Sequence, residues 1–182
     1  MASDRIKFGE PPFPLDSIDR QVIEFLQRDA KISLKSVGEQ VGLTAPAVME
    51  RVRKLEHAGV ITGYHACVNA EAIGIDISAF IGVAVKDPEK LAKIEQCIGD
   101  MPPVMECHHV TGGHTLLLKV KVRNTRSLER LISRVRSLDG VEGTHTMVVL
   151  STHTERVQVS FDQDLPEAPD ETHRKRRRRN AS

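Results

Sequence analysis

Gly42-Leu43-Thr44-Ala45-Pro46-Ala47-Val48-Met49-Glu50-Arg51-Val52-Arg53-Lys54-Leu55-Glu56-His57-Ala58-Gly59 is the stretch whose reading decides the fold. It reads as a turn, a helix start, an amphipathic helix and a stop. Thr44 is placed to cap the helix through its hydroxyl, and Pro46 falls in the first turn, where a missing N–H costs nothing. Val48, Val52 and Leu55 recur at i, i+4 and i+7 and share one face. The opposite face carries Pro46, Ala47, Glu50, Arg53, Lys54 and His57. Gly59 supplies a left-handed exit. A short helix with an apolar back and a small-then-basic front, entered through a glycine turn from another helix, has the form of a major-groove reader.

Working back from Gly42, a short helix runs from Ser33 to about Gln40, with Leu34, Val37 and Val41 facing inward. Gly42 closes it where a tight helix-turn-helix needs φ > 0. Before Asp29-Ala30-Lys31 lies a first helix capped by Asp16, with Ile18, Val22, Phe25 and Leu26 in one stripe. Residues 1–14, ending in Pro11-Pro12-Phe13-Pro14, have no periodicity and read as a flexible arm. After Gly59, Val60 to Val68 alternates around Gly63 and predicts a β-hairpin or wing.

Residues 65–76 read as a linker, and beyond them the period changes. Ile77, Ala79, Ile81, Val83 and Val85 alternate with Ser78, Phe80, Gly82, Ala84 and Lys86 in a strand. Pro88 opens a helix with Leu91, Ile94 and Ile98 on one face. Val104 to Val110 is a second strand, Thr111-Gly112-Gly113-His114 a turn, and Leu116 to Val122 a third strand. Asn124 or Thr125 caps a helix marked by Leu128, Leu131, Ile132, Val135 and Leu138, and Asp139-Gly140 turns into a fourth strand from Val141 to about Leu150. The order β-α-β-β-α-β is the ferredoxin-like arrangement, so the chain is α+β. With both helices on one sheet face, Phe80 and Ala84 remain on the other, which predicts a homodimer. Arg156 to Phe161 is a candidate extra edge strand, and 162–182 is expected to be disordered.

The chain has 182 residues, 3% aromatics, no Trp and a net charge of +1, so its cores must be aliphatic. That charge hides a layout. Residues 162–182 hold five acids and the basic run Arg174-Lys175-Arg176-Arg177-Arg178-Arg179, leaving twenty charges of each sign in the rest. Nucleic-acid affinity must therefore come from local patches. No apolar run reaches membrane-spanning length, no signal peptide is visible, and Cys67, Cys97 and Cys107 are few and unpatterned, which suits a cytoplasmic protein, nucleoid-associated if it binds DNA. Cys107-His108-His109 with His114 nearby fits no zinc spacing, and alternation sends His108 to the opposite face, so no metal or other cofactor is expected. Nucleophile–base pairs and phosphate loops are absent, which argues against an enzyme. The basic run reads as a nuclear-import signal, a solubilising end or an auxiliary DNA contact, the last being favoured.

Leu15-Asp16-Ser17-Ile18-Asp19, Gly42-Leu43-Thr44, Glu50-Arg51-Val52-Arg53-Lys54-Leu55-Glu56, Gly59-Val60-Ile61-Thr62-Gly63-Tyr64 and Glu106-Cys107-His108-His109-Val110-Thr111-Gly112 occur in that order and spacing. Together they resemble the Lrp/AsnC family of prokaryotic transcription regulators, the feast/famine regulatory proteins, over about Leu15 to Ser151. The resemblance implies a winged helix-turn-helix for double-stranded DNA over 15–64. It also implies a ferredoxin-like domain over 77–161 that dimerises, binds an amino acid or related small molecule between subunits, and supports assembly to octamers. DNA-contact candidates are Thr44, Ala45, Pro46 and Ala47 at the groove floor with Glu50, Arg51, Arg53 and Lys54. Glu50 is also a candidate to hold an arginine in place. Effector candidates are Val110, Thr111, Gly112, Gly113, His114 and Thr115. The family's turn here usually runs Gly-x-aromatic-Asp, its acid helping to hold an effector's amino group. Gly112-Gly113-His114-Thr115 brings neutral hydrogen-bonding groups instead, which predicts a different effector or none. The function expected is sequence-specific transcriptional regulation; the alternatives are an architectural DNA-wrapping protein and a ferredoxin-like enzyme or sensor.

Overall fold

The computed structural model describes residues 13–161. The tail expected over 162–182, and all but the last two residues of the expected arm, lie outside the described residues. The chain forms two units: one runs to His65 and takes in the chain again from Arg156, the other spans Ala66–Glu155.

The first unit holds α1 (Ser17–Arg28), α2 (Leu34–Val41) and α3 (Ala45–His57). Asp16 and Asp19 cap α1 reciprocally: the Asp19 N–H donates to the Asp16 carboxylate at 2.7 Å, and the Asp16 N–H donates to the Asp19 carboxylate at 3.3 Å. Gly42 takes φ 71°, and the Leu43 N–H donates back to the Gly38 carbonyl at 2.9 Å, a Schellman closure of α2. Gly38 is buried where the turn folds over it, and a Cβ there would run into the Leu43 carbonyl oxygen. Val22, Ile23, Val37, Val48, Val52 and Leu55 form the core.

Three local expectations are corrected in this unit. The Thr44 hydroxyl makes no capping bond. Pro46 at the second helical position has no N–H to donate, which leaves the Ala47 N–H as the one remaining capping donor, and the exposed Thr44 hydroxyl does not take it. The hairpin expected over Val60–Val68 is absent, since no ladder pairs these residues. The Val60 and Ile61 N–H groups instead close α3 by donating to the Leu55 carbonyl at 2.9 and 3.1 Å. Among the described residues the segment then runs on without a partner strand, so no paired wing follows the helix-turn-helix there. Arg156–Phe161 is not an edge strand of the sheet. It lies on α1, where Gln27 holds Val159 and Phe161 joins the three-helix core.

In the second unit, the expected linker contains a 3-10 turn, Glu71–Ile73, closed by Gly74 at φ 75°. It leads into β1 (Ile77–Val85), α4 (Leu91–Gly99), β2 (Val104–His109), β3 (Leu116–Val122), α5 (Thr125–Arg136) and β4 (Val141–Val148). Of the two cap candidates for α5, Asn124 is the one used, accepting from the Ser127 N–H at 2.9 Å. The sheet order is β2-β3-β1-β4 with all neighbours antiparallel, the ferredoxin-like arrangement. Ile94, Ile98, Leu128, Leu131 and Val135 from the helices pack on Ala79, Ile81, Val83, Leu116, Leu118 and Val120. The register turns Phe80, Gly82, Ala84, Leu117, Lys119, Lys121, His145 and Met147 to the other face.

Candidate nucleic-acid interface and effector turn

α3 divides its side chains as its period requires. Val48, Val52 and Leu55 are buried, while Thr44, Pro46, Met49, Glu50, Arg53, Lys54 and His57 are exposed; Ala45 and Ala47 are half-buried. Arg53 forms no ion pair among the described residues. The Lys54 ammonium lies 5.2 Å from the centre of the Phe13 ring, a contact that orients the side chain. Met49, at 38% exposure, stands on this face beside Glu50 and was not among the expected contacts. It lies one turn before Arg53.

Arg51 is not on that face. Its guanidinium bonds the carboxylates of Asp16 at 2.7 Å and Asp19 at 2.6 Å, tying α3 to the start of α1. The position follows from the helix period: Arg51 lies three residues after Val48 and four before Leu55, on the border of the buried stripe. Asp19 is only 2% exposed, so the pair neutralises a carboxylate that would otherwise be buried alone. The Asp16 carboxyl is held below its ordinary value first by the Asp19 N–H and then by Arg51. Glu50 forms no ion pair among the described residues; it is Asp16 and Asp19 that hold Arg51. Glu56 accepts from the Tyr64 hydroxyl at 2.9 Å, and burial, then this carboxylate, push the phenol up to about 12.

The turn between β2 and β3 is pinned to the sheet. The Val110 N–H donates to the Thr115 carbonyl at 3.1 Å, and the Thr115 N–H donates to the Val83 carbonyl at 2.9 Å. The Thr115 hydroxyl accepts from the Val85 N–H at 3.1 Å, so its oxygen serves the sheet first. Thr111, Gly112 and Gly113 are exposed, with Gly112 at φ 113°. His114 folds over β1: a Cβ on Gly82 would collide with its ring, and the ring stacks on His145 with centroids 5.9 Å apart. Further along the same sheet face, Lys119 bonds Glu155 at 2.5 Å and Glu106 at 3.2 Å, and Lys121 bonds Glu155 at 3.3 Å. Cys107 pairs with Leu118 and packs on the core, whereas Glu106 receives His108 at 3.1 Å on the opposite side.

An exposed, basic-sided helix presented by a tight helix-turn-helix, in a chain that also carries a ferredoxin-like domain with an exposed glycine turn, defines a class: a DNA-binding regulator with a second, ferredoxin-like domain. Comparison with known proteins makes it specific. The AsnC-type helix-turn-helix domain matches residues 15–56 and the Lrp/AsnC ligand binding domain matches residues 78–159. The HTH-type transcriptional regulator FL11 of Pyrococcus furiosus is 37% identical over 145 residues, 80% of this chain and 95% of that protein. The structure of Escherichia coli AsnC superposes with a TM-score of 0.76 at 26% identity, covering 80% of this chain and 99% of that one. The feast or famine regulatory protein of Mycobacterium tuberculosis, solved in complex with L-methionine, superposes at 0.75 with 34% identity, covering 80% and 99%. The chain belongs to the Lrp/AsnC family and is a helix-turn-helix transcriptional regulator. Among the described residues, no helix is long and apolar enough to cross a membrane.

Proposed function

We propose that this regulator reads duplex DNA with the exposed face of α3, dimerises through the helix-free face of its sheet, and takes a small ligand at the β2–β3 turn. In this division of labour, residues 15–64 bind DNA and the sheet domain from residue 77 assembles and senses. Thr44 and Ala45 sit where the helix enters the groove, Pro46, Ala47 and Met49 lie against base edges, and Arg53 and Lys54 supply the cationic contacts. Arg51 holds the helix and does not touch DNA. The single observation that carries the reading is the separation of charges on α3: Arg51 is spent inside the protein while Arg53 and Lys54 face outward.

Phe80, Ala84, Leu117 and Met147 make the helix-free face apolar enough to want a cover, and a second copy supplies a self-complementary one. Two α3 helices then meet successive major-groove faces about 34 Å apart, or a multiple of that, and dimers assemble further to octamers. The L-methionine complex of the mycobacterial relative supports a small-molecule site. Here, however, the turn offers the Gly112 and Gly113 backbone and the His114 ring, with no carboxylate for an ammonium group. The favoured ligand is therefore one recognised by neutral hydrogen bonds. It acts by binding two assembly states unequally.

Selection of bound duplexes from a random pool supplies the operator for the test. Arg53→Ala with Lys54→Ala is expected to lower operator affinity by about tenfold or more, each base or phosphate interaction removed being worth roughly 1–3 kcal/mol, while the thermal melt stays in place. Unchanged affinity overturns the assignment of α3.

A further inference from the structure

The chain as a whole carries a net charge of +1, yet the second unit does not spread its arginines. All five of them, Arg123, Arg126, Arg130, Arg134 and Arg136, fall within fourteen consecutive positions on and beside α5, with Glu129 as the one acid among them. Each of the five is exposed. Arg136 is used by the fold: its guanidinium donates to the Thr144 hydroxyl at 2.7 Å and ties α5 to β4. The other four form no ion pair among the described residues, whereas Lys90, Lys119 and Lys121 of the same unit each hold a carboxylate. Arg130 reaches the Ser127 hydroxyl at 3.5 Å, which leaves its charge unbalanced.

Helix formation does not ask for this arrangement. Arg126, Arg130 and Arg134 recur at four-residue steps and share one stripe, on the side turned away from the buried Leu128, Leu131 and Val135. Like charges at that spacing repel and weaken the helix, and a face that is merely solvated does better by mixing signs along such a stripe. Arg126 also stands in the first turn, the positive end of the helix dipole, where an acid is favoured and none is present. We infer that the arginine stripe of α5 is a docking surface for the phosphate backbone of duplex DNA, carried by the sheet domain and separate from the reading helix α3. The planar guanidinium pairs its N–H groups with two phosphate oxygens at once. The three stripe positions rise about 12 Å along α5, which matches three to four successive phosphates of one strand at about 3.4 Å each. A dimer formed through the helix-free face leaves the stripe uncovered, because α4 and α5 pack on the other face of the sheet. The inference rests on the DNA-binding reading above and adds to it a contact that holds the duplex without reading its sequence.

The test compares the full chain with two triple variants, Arg126→Gln with Arg130→Gln and Arg134→Gln, and the same three positions changed to Lys. Each binds the selected operator, embedded in a longer duplex, and an unrelated duplex of the same length between about 50 and 200 mM salt. Glutamine keeps the helix propensity and removes the charge, whereas lysine keeps the charge and loses the planar fork. The Gln variant is expected to flatten the plot of log affinity against log salt by about one to three for each copy bound, at roughly 0.9 for each phosphate no longer neutralised. Its preference for the operator over the unrelated duplex persists, since both lose the same contact. The Lys variant is expected to keep the slope of the unaltered chain. A slope change below one in the Gln variant overturns the inference, the stripe then facing another polyanion or water alone. An equal slope change in the Lys variant overturns it too, because lysine retains the charge. If Arg53→Ala with Lys54→Ala leaves operator affinity unchanged, the assignment of α3 fails, and the stripe is still judged by its own slope. Thermal melts by circular dichroism, expected to be no lower in the Gln variant because repulsion along the stripe is relieved, ensure that folded proteins are compared.

Discussion

Arg51 and Arg53 stand two positions apart on one helix and have opposite fates. Truncating Arg51 strands the Asp19 carboxylate, which is 2% exposed. Breaking a fully buried pair in this way costs about 3–5 kcal/mol; Arg51 keeps 28% of its side chain exposed, so about 2 kcal/mol is expected for Arg51→Ala in urea unfolding. Operator affinity measured on the folded fraction should not change, in contrast to Arg53→Ala. The Asp16 carboxyl adds a pH signature. Its pKa is lowered on folding, so its contribution is present above the unfolded value and is lost as pH falls through the folded one. Stability of the three-helix unit should therefore decline below about pH 4, and Asp16→Asn should flatten that decline in unfolding curves taken across the acid range. The chain has a single tyrosine, so tyrosinate absorbance reports Tyr64 alone. Its midpoint is expected near 12, and an ordinary value near 10 would mean that the contact with Glu56 is not kept in solution. None of these pairings was legible in the sequence. Arg51 and Asp19 lie 32 residues apart, and only the crossing of two helices brings them together.

At the scale of elements, the tight turn between α2 and α3 is where a small change should matter most. Gly42 needs its positive φ but has open space around it, so Gly42→Ala should cost about 1 kcal/mol, the penalty for a left-handed residue with a Cβ. Gly38 adopts ordinary helical geometry, yet its Cβ would meet backbone that cannot move aside. Gly38→Ala should therefore cost more, about 2 kcal/mol or above, and thermal melts of the two variants should rank in that order. The sequence made Gly42 readable, because helix stops carry a local signal, and left Gly38 invisible, because its constraint comes from a carbonyl five residues away. The nine helices and strands assigned from periodicity all form, since each buries a stripe that its own period creates; their ends fall within a residue or two of expectation except for α4, which begins at Leu91 because Pro88–Lys90 form a 3-10 turn. The wing over Val60–Val68 and the edge strand over 156–161 do not form. A strand depends on a partner, and alternation alone supplies none.

At the scale of the whole molecule, the helix-free face of the sheet carries the expected assembly. Phe80→Asp should turn the dimer into a monomer by sedimentation, because it replaces an apolar contact of the seam with a carboxylate that must lose its water there, and should leave the sheet folded, since Phe80 points away from the helix-packed core. If Phe80→Asp sediments as the unaltered chain does, the seam lies elsewhere. Loss of the dimer should also lower operator affinity for two half-sites far more than for one.

Reading the residues in order was enough to establish two aliphatic cores, the order of their helices and strands, the helix-turn-helix and the basic side of α3. Periodicity, caps and turn glycines act within a few residues, and they are written in the chain wherever they act. Tertiary structure alone decided that Arg51 faces inward, that His114 folds over Gly82, that Thr115 serves the sheet, and that Arg156–Phe161 returns to α1 instead of extending β4. Each of these is a meeting of groups distant in sequence, and its energy depends on a distance that no local pattern encodes.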